Sequence, residues 1–276
     1  MTVAQTSMAA ICVLNSGDLS SAFELSSIAG WNQTVDDWQL LMSLPQAHCF
    51  AIEADGQLVS TTTLVCYGQQ LAWIGMVLTR PEYRGHGHAR RLFTHILDHA
   101  ESLGIQTLKL DATEQGKPLY ESFGFRAEQP VERWVRPGGA ATHSHKSSSG
   151  FNEDLRRLDI EAFGADRSPL LAQLANRGDL VAASDAFSFT RPGRVTSYLG
   201  PCVASDPYRA RVLIRESVAA SDKSWSWDLL PENAHAIGLA RELGFTRQRL
   251  LTRMSRGELQ HRRDDMIYAI AGFELG

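Results

Sequence analysis

The segment Val77–Asp98, VLTRPEYRGHGHARRLFTHILD, combines the end of an apolar strand, a short turn, a loop with alternate glycines and an amphipathic helix. Gly85 and Gly87 remove side chains at the point where the strand gives way to the helix. Free backbone N–H groups at a helix N-terminus bind anions, and Arg84 and His86 add polar groups beside them. We therefore predict that this loop binds a pyrophosphate. A tight turn without a ligand is the alternative.

The composition is that of an ordinary globular protein. The chain has 276 residues, of which 43% are hydrophobic and 21% are charged, which is enough for one large domain or two ordinary ones. The net charge of −4 offers no electrostatic basis for binding nucleic acid or an anionic membrane. Residues 1–136 carry 9 basic against 14 acidic residues. This acidic first half fits a cationic acceptor better than a polyanionic one.

Neither the cysteines nor the apolar runs indicate a special environment. Cys12, Cys49, Cys66 and Cys202 are far apart and form no CxxC pair, so we expect free thiols and no metal. No apolar run approaches the ~18 residues that a membrane span needs. The first fourteen residues lack the pattern of a secretory signal. These features predict a cytoplasmic protein, and they do not specify its oligomeric state.

The hydrophobic pattern predicts a mixed α/β (α+β) domain over residues 1–136, in the order β-α-α-β-β-β-α-β-α-β-β. Its central strand, LAWIGMVL at residues 71–78, is nearly all apolar, as expected of a strand that is covered on both faces. Gly75 interrupts it, and a glycine within a strand marks a bulge or a close approach to the backbone. Residues 137–150, PGGAATHSHKSSSG, are predicted to be a flexible linker to a second domain over residues 151–276.

Two motifs resemble those of the GNAT acetyltransferases. VLTRPEYRGHGHARRLF resembles their acyl-CoA-binding motif, Arg/Gln-x-x-Gly-x-Gly/Ala, which falls on Arg84, Gly87 and Ala89. LDATEQGKPLYESFGF is similar to their second motif, in which a helix with a tyrosine precedes a Gly-Phe strand start. GWNQT, WIGMV and LDAT resemble a bacterial subgroup with two fused GNAT-like halves. The resemblance implies acetyl-CoA as co-substrate and a central mixed sheet flanked by helices in each half.

The second half repeats parts of the first. The second-half segment YLGPCVASDPYR corresponds to WIGMVLTRPEYR of the first half, which aligns Gly200 with Gly75. The segment LARELGF likewise corresponds to LYESFGF. The Gly-x-Gly loop is missing after Tyr208, and Ala240 stands where the first half has Tyr120. We therefore predict that residues 1–136 are the catalytic GNAT domain. Residues 151–276 are predicted to be a degenerate copy that shapes the acceptor site.

The resemblance also implies which residues hold the cofactor. Backbone amides across the loop would bind the diphosphate, whereas the two histidine side chains are expected to be exposed. The central strand would separate from its neighbour and pair with pantetheine, and one amide would polarise the thioester carbonyl. An ordinary, fully paired strand is the alternative. The implied residues are Met76, Val77, Leu78, Arg84, Gly85, His86, Gly87, His88 and Ala89.

Tyr120 and Asp111 are the predicted catalytic residues. A phenol near the leaving CoA thiolate can protonate it or donate a hydrogen bond to it, and a packed helix tyrosine is the alternative. An amine of pKa ~10.4 is neutral in only about one molecule per 2,500 at pH 7, which costs ~4.6 kcal/mol. The central strand has no glutamate to take that proton, and Asp111 is the nearest candidate by topology. A structural carboxylate at the Thr113 turn is the alternative role of Asp111, and Glu114 is a weaker candidate for the base.

Trp31, Asn32, Gln33 and Trp73 are candidates for an acceptor pocket, although tryptophans also serve as core residues.

The predicted function is acetyl-CoA-dependent N-acetylation of a primary amine by direct attack in a ternary complex. The acceptor is a small molecule or a peptide. A non-catalytic CoA-binding sensor or scaffold is the alternative. A dinucleotide-binding oxidoreductase is excluded because the glycines follow the fourth strand and not the first βα turn.

Overall fold

The computed structural model describes residues 9–139, 150–219, 222–258 and 262–276. Most of the predicted linker, residues 140–149, lies outside the described residues. The strands of the described ranges are β1 (Ala10–Val13), β2 (Ala47–Ala54), β3 (Gln57–Tyr67), β4 (Leu71–Thr79), β5 (Thr107–Ala112), β6 (Arg126–Arg136), β7 (Asp179–Ala183), β8 (Ala186–Arg191), β9 (Ser197–Ala204), β10 (Trp225–Leu229), β11 (Thr246–Gly257) and β12 (Ile267–Ala269). Their helices are α1 (Leu19–Ile28), α2 (Val35–Ser43), α3 (His88–Ser102), α4 (Lys117–Glu121), α5 (Glu153–Phe163), α6 (Ser168–Ala175), α7 (Pro207–Ala219) and α8 (Ala234–Glu242).

The first half follows the predicted order of elements, except that its last two predicted strands form the single strand β6. Local sequence signals determine where its helices begin. At α2 the Thr34 hydroxyl accepts a hydrogen bond from the Asp37 amide, and Asp37 accepts one from the Thr34 amide at 2.7 Å. This reciprocal cap satisfies two backbone donors at the helix N-terminus. The predicted mixed α/β fold is confirmed.

One mixed sheet contains the strands of both halves. Its order is β1-β2-β3-β4-β5-β11-β6-β10-β9-β8-β7, and β12 pairs with β9. Strand β11 belongs to the second half by sequence but lies between β5 and β6, and β6 continues the sheet to β10. Each half therefore places its last long strand among strands of the other half. The predicted boundary at residue 136 divides the sequence but does not divide the sheet.

The central strand β4 is covered on both faces, as its apolar sequence predicts. On one face it packs with α3, whose Leu92, Phe93 and Ile96 are fully buried. On the other face Trp73 joins a core that includes Trp38 and residues 270–275 of the second half. Residues 271–276, which we call the 271–276 segment, therefore lie under the middle of the sheet. The second half reaches the strand that the first half uses for its site.

Candidate active site

The loop before α3 has the backbone of an anion site. Gly85 and Gly87 have φ of +79° and +80°, a left-handed conformation that glycine adopts without steric cost. Gly87 is the N-cap of α3, no side chain caps this end, and the first turn contains no acidic residue. The first amides of α3 are therefore available to a ligand, and the helix dipole favours a negative charge there.

The equivalent helix of the second half has no such site. It follows β9 after two residues, and no glycine loop precedes it. The Asp206 carboxylate accepts hydrogen bonds from the amides of Tyr208 and Arg209, at 2.8 and 3.0 Å. These two amides hold the pKa of Asp206 below its usual range. A carboxylate of the chain thus takes the position that an anionic ligand would need.

Strands β4 and β5 separate beside this loop. Their parallel pairing joins residues 71–73 to residues 107–109 and ends at Trp73 and Lys109, although both strands continue. On its other side, β4 has two residues, Met76 and Val77, opposite Thr62 alone. Met76 has φ of +49°, which is uncommon for a residue with a side chain. This bulge bends β4 and helps to open the gap toward β5.

A cavity of about 400 Å³ fills the gap. Its wall includes β4, the start of α3, the end of β5, α4 and parts of the second half. The loop residues Gly85, His86, Gly87 and His88 do not line it and are exposed or half-buried at its edge. The predicted cofactor and catalytic residues that line this cavity are Met76, Val77, Leu78, Arg84, Ala89, Asp111 and Tyr120.

Tyr120 lies in the cavity wall with its ring held on one side. The ring packs against Phe93 at a centroid distance of 5.0 Å, and only 8% of the residue is exposed. Among the described residues, its hydroxyl has no hydrogen-bond partner. Burial raises the pKa of Tyr120 well above its usual range, so the phenol keeps its proton and remains a donor.

Sequence profiles identify both halves. The profile of the acetyltransferase (GNAT) family matches residues 18–125, and that of the acetyltransferase (GNAT) domain matches residues 155–269. The chain belongs to the GNAT acetyltransferase family. Enzymes of this family use acetyl-CoA, and the loop before α3 falls inside the first match. The predicted tandem of GNAT domains is therefore confirmed.

Relatives and solved structures have the same arrangement. An uncharacterised N-acetyltransferase of Bacillus subtilis, YitH, is 29% identical over 250 residues, which cover 84% of this chain and 86% of that protein. The crystal structure of a putative acetyltransferase from Pyrococcus horikoshii matches with a TM-score of 0.86 at 18% identity, covering 100% and 99% of the two chains. A tandem GNAT protein from the clavulanic acid biosynthesis pathway matches with a TM-score of 0.64 at 12% identity over 90% and 98%. These likenesses support the tandem fold.

The structure places Asp111 in a buried ion pair. Its two carboxylate oxygens accept hydrogen bonds from Arg253 of β11, both at 2.9 Å. The Arg253 guanidinium also stacks on the Trp73 ring, 4.5 Å from its centroid. Protonating Asp111 would leave a buried guanidinium without its counter-ion. The turn at Thr113 is closed by the threonine hydroxyl and not by Asp111. This geometry disfavours Asp111 as the base, in contrast to the sequence-based prediction.

The predicted acceptor residues divide into two groups. Trp31 and Gln33 line the GNAT cavity. Trp73 is fully buried, and its indole N–H donates to the Phe273 carbonyl at 2.9 Å. Trp73 therefore has the core role that was the alternative, and it holds the 271–276 segment in place.

Asn32 connects the two halves. Its side-chain oxygen accepts hydrogen bonds from the amides of Val195 and Thr196, at 2.7 and 3.0 Å. Its side-chain nitrogen donates to the Thr196 carbonyl at 2.9 Å. With these partners Asn32 positions a loop of the second half. It does not line the main cavity but lines a neighbouring one, and its role as a substrate ligand stays a prediction.

Four second-half residues that line the cavity were missed from the sequence, namely Arg249, Leu251, Phe273 and Glu274. The only signal for one of them was Gly75. A Cβ atom at Gly75 would lie 2.8 Å from both Cα and Cβ of Glu274, so the glycine permits the 271–276 segment to touch β4. The pattern of the sequence indicates a close approach at Gly75 but not which segment makes it.

The charge of the cavity differs from that of the first half as a whole. Three arginines, Arg84, Arg133 and Arg249, line it together with two acidic residues, Asp111 and Glu274. Within the described ranges, no group of three or more His, Cys, Asp or Glu side chains is arranged to hold a metal ion. Over the same ranges, no helix has the length and apolar character needed to cross a bilayer.

Proposed function

We propose that this protein transfers the acetyl group of acetyl-CoA to a primary amine by direct attack within a ternary complex. The separation of β4 from β5 beyond Trp73 and Lys109 carries the proposal. It creates a cavity that has an uncapped helix N-terminus at its edge and a buried tyrosine in its wall. An anion site, exposed strand edges and a proton donor are the parts that acyl transfer from a CoA thioester requires.

In this proposal the cofactor lies along β4. The amides from Arg84 to Ala89 hold the diphosphate, since this helix end has no competing carboxylate. The backbone of residues 76–78 pairs with pantetheine in place of β5. An amide of the same strand polarises the thioester carbonyl and stabilises the negative charge that develops on its oxygen.

Tyr120 stabilises the leaving group. When the amine nitrogen attacks the carbonyl carbon, a C–N bond forms, the C–S bond breaks and sulfur takes the electron pair. A thiol has an ordinary pKa of ~8.5 and a phenol one of ~10. The raised pKa of buried Tyr120 makes full proton transfer less favourable still. A hydrogen bond from the phenol to the thiolate is therefore the main contribution.

The cysteines support direct transfer over an acyl-cysteine intermediate. All four are free, and none of them lines the cavity. Burial raises the pKa of both Cys49 and Cys202 to about 12, so neither thiol supplies a thiolate at neutral pH. The Bacillus subtilis relative YitH is described as an N-acetyltransferase, which agrees with an amine acceptor.

The test is Tyr120→Phe, assayed by thiol release from acetyl-CoA with a panel of primary amines. The variant keeps the ring against Phe93 and should lower kcat by roughly 10²-fold with little change in the KM for acetyl-CoA. Tyr198→Phe is the matched control, because Tyr198 is equally buried but does not line the cavity. Full activity of Tyr120→Phe would remove the assigned role. Tight CoA binding without turnover of any amine would favour a CoA-binding sensor.

A further inference from the structure

Two arginines lie directly opposite each other where β11 of the second half pairs with β6 of the first half. Arg249 of β11 pairs in register with Arg133 of β6, next to an irregularity in the ladder. The charge of Arg133 is balanced by Asp228. The Arg133 guanidinium donates hydrogen bonds to both carboxylate oxygens of Asp228, and the distance from Nε to Oδ1 is 2.7 Å. Among the described residues, the side chain of Arg249 has no partner for an ion pair or a hydrogen bond. Like charges opposite each other on neighbouring strands are destabilising.

The Arg249 side chain also lies where two cavities meet. It lines the main cavity and a second one of about 450 Å³, and both include Trp31 and Arg133. Arg136 adds a third guanidinium to the second cavity, and none of the described residues that line it is acidic. Burial and the nearby Arg133 lower the pKa of Arg249. The pyrophosphate loop contributes nothing to this second cavity, so its positive charge is separate from the proposed diphosphate site.

We infer that the acceptor is a small amine that also carries a carboxylate or phosphate group, which Arg249 binds. This inference rests on the proposed function and specifies its substrate class. The anionic group enters the second cavity and pairs with Arg249, which offers five N–H donors in a planar arrangement suited to either anion. The amine end then extends into the main cavity toward the thioester. The anionic group of the bound acceptor thus balances the charge of Arg249.

The experiment uses acceptor pairs that differ only in the anionic group, such as an amino acid with its amide and phosphoethanolamine with ethanolamine. Wild type should prefer the anionic member by roughly 10-fold or more in kcat/KM. Arg249→Gln should raise the KM for the anionic member by about 10²-fold and leave the neutral member and acetyl-CoA unchanged. The two pairs distinguish carboxylate from phosphate. Arg247→Gln is the matched control, because Arg247 lies on the same strand but lines neither cavity.

Calorimetry with each anionic amine of the two pairs gives a readout that does not depend on turnover, and Arg249→Lys tests whether charge alone suffices. Equal use of both members by wild type, or equal losses on both in Arg249→Gln, would overturn the inference. A raised KM for acetyl-CoA in that variant would assign Arg249 to the cofactor instead. Absence of turnover with every amine in wild type would count against the proposed function, while calorimetry would still decide the anion site.

A second inference concerns the proton of the acceptor and rests on a different observation. Glu274 is 4% exposed and lines the main cavity, and its Cα and Cβ lie where a side chain of residue 75 would begin. Its carboxylate is 3.6 Å from the Arg191 guanidinium, and among the described residues no other residue donates a hydrogen bond to it. Arg191 also forms an ion pair with Asp37, in which Nε of Arg191 lies 3.3 Å from Oδ1 of Asp37. Glu274 therefore shares a cation that a second carboxylate already holds.

The geometry points to Glu274 as the general base, carried to the central strand by the 271–276 segment. The acceptor ammonium gives one proton to a Glu274 oxygen, and the freed lone pair attacks the carbonyl carbon. As the C–S bond breaks, the nitrogen loses its second proton, which balances the proton that the thiolate takes up beside Tyr120. The charged and titratable groups near Glu274 include Arg191, Asp37, Arg133, Tyr67 and Tyr198. Burial outweighs these arginines and raises the pKa of Glu274, which suits a base.

Glu274→Gln tests this role with whichever amine wild type acetylates. At pH 7 kcat/KM should fall by about 10²-fold. The deficit should narrow as pH rises toward the pKa of the amine, because more acceptor is then already neutral. Glu132→Gln is the matched control, because Glu132 is also a buried carboxylate but pairs with Arg247 and lines neither cavity, so it should cost little activity. CoA binding and thermal unfolding report whether each variant is folded.

Three results would contradict the role of Glu274. These are retained activity in Glu274→Gln, a loss that is the same at every pH, and an equal loss in Glu132→Gln. If Glu274→Gln does not fold, Glu274→Asp keeps the charge but withdraws it by one methylene. That variant should lose activity while it keeps the pH profile of wild type, and full activity in it would argue against a positioned base. Wild type that acetylates no amine would count against the proposed function.

Discussion

The N-termini of α3 and α7 occupy equivalent positions in the two halves, yet one is open and the other is closed. Before α3, two glycines with positive φ leave the first amides without a side-chain cap. Before α7, Asp206 accepts hydrogen bonds from two of the equivalent amides. A negative ligand at α7 would have to displace a negative side chain. One carboxylate and one missing loop therefore distinguish a half with an open helix N-terminus from a half in which that position is occupied.

The closed half contributes in another way. Its strand β11 brings Arg249 and Arg253 beside the first-half strands, and its 271–276 segment brings Glu274 to β4. Under the proposed function, the first half binds acetyl-CoA and the second half supplies the groups that recognise and deprotonate the acceptor. On this proposal the fold is kept in both copies, and the chemistry is divided between them.

The largest expected effect comes from separating the two halves. Residues 9–139 alone should not fold cooperatively, because β5 and β6 would lose β11 between them and Asp111 would lose Arg253. Breaking a buried ion pair alone costs about 3–5 kcal/mol. Urea unfolding followed by circular dichroism measures this, with the full chain as control. Cooperative unfolding of the isolated fragment, together with acetyl-CoA binding, would mean that the halves are independent.

The second prediction compares the two helix ends directly. Gly87→Val should raise the KM for acetyl-CoA by about 10²-fold, since a β-branched residue at φ +80° is strained and at least two charge-assisted hydrogen bonds of ~1.5 kcal/mol each would be lost. Asp206→Ala, at the matched position of the second half, should leave that KM unchanged. Steady-state kinetics with varied acetyl-CoA provides the measurement. A similar rise in both variants would show that the halves do not differ in cofactor binding.

The smallest expected effect is the pH dependence of the cap at α7. The pKa of Asp206 is lowered in the folded protein, so its charge stabilises the fold above its unfolded value of ~3.9. Asp206→Ala should cause a small decrease in Tm at pH 7. That difference should narrow below pH ~4 and vanish once the wild-type carboxylate is protonated. Thermal scans of both proteins across this range test it, and a pH-independent difference would assign the effect to packing.

Many of the first-half features were predictable because their signals are local. The caps at Thr34 and Asp37, the alternate glycines at 85 and 87 and the apolar run of β4 each act over a few residues. They determine backbone conformation wherever the chain folds. The acid role of Tyr120 and the cofactor roles of the loop remain predictions, although the structure brings Tyr120 and the end of the loop to one cavity.

The sequence by itself determined the order of elements in the first half, the open anion site before α3 and the loss of that site in the second half. Only the tertiary structure decided that β11 enters between β5 and β6, that Asp111 pairs with Arg253 and that Glu274 touches Gly75. These contacts join residues more than 100 positions apart. They depend on strand register and on the packing of both faces of the sheet, which no short pattern of residue types encodes.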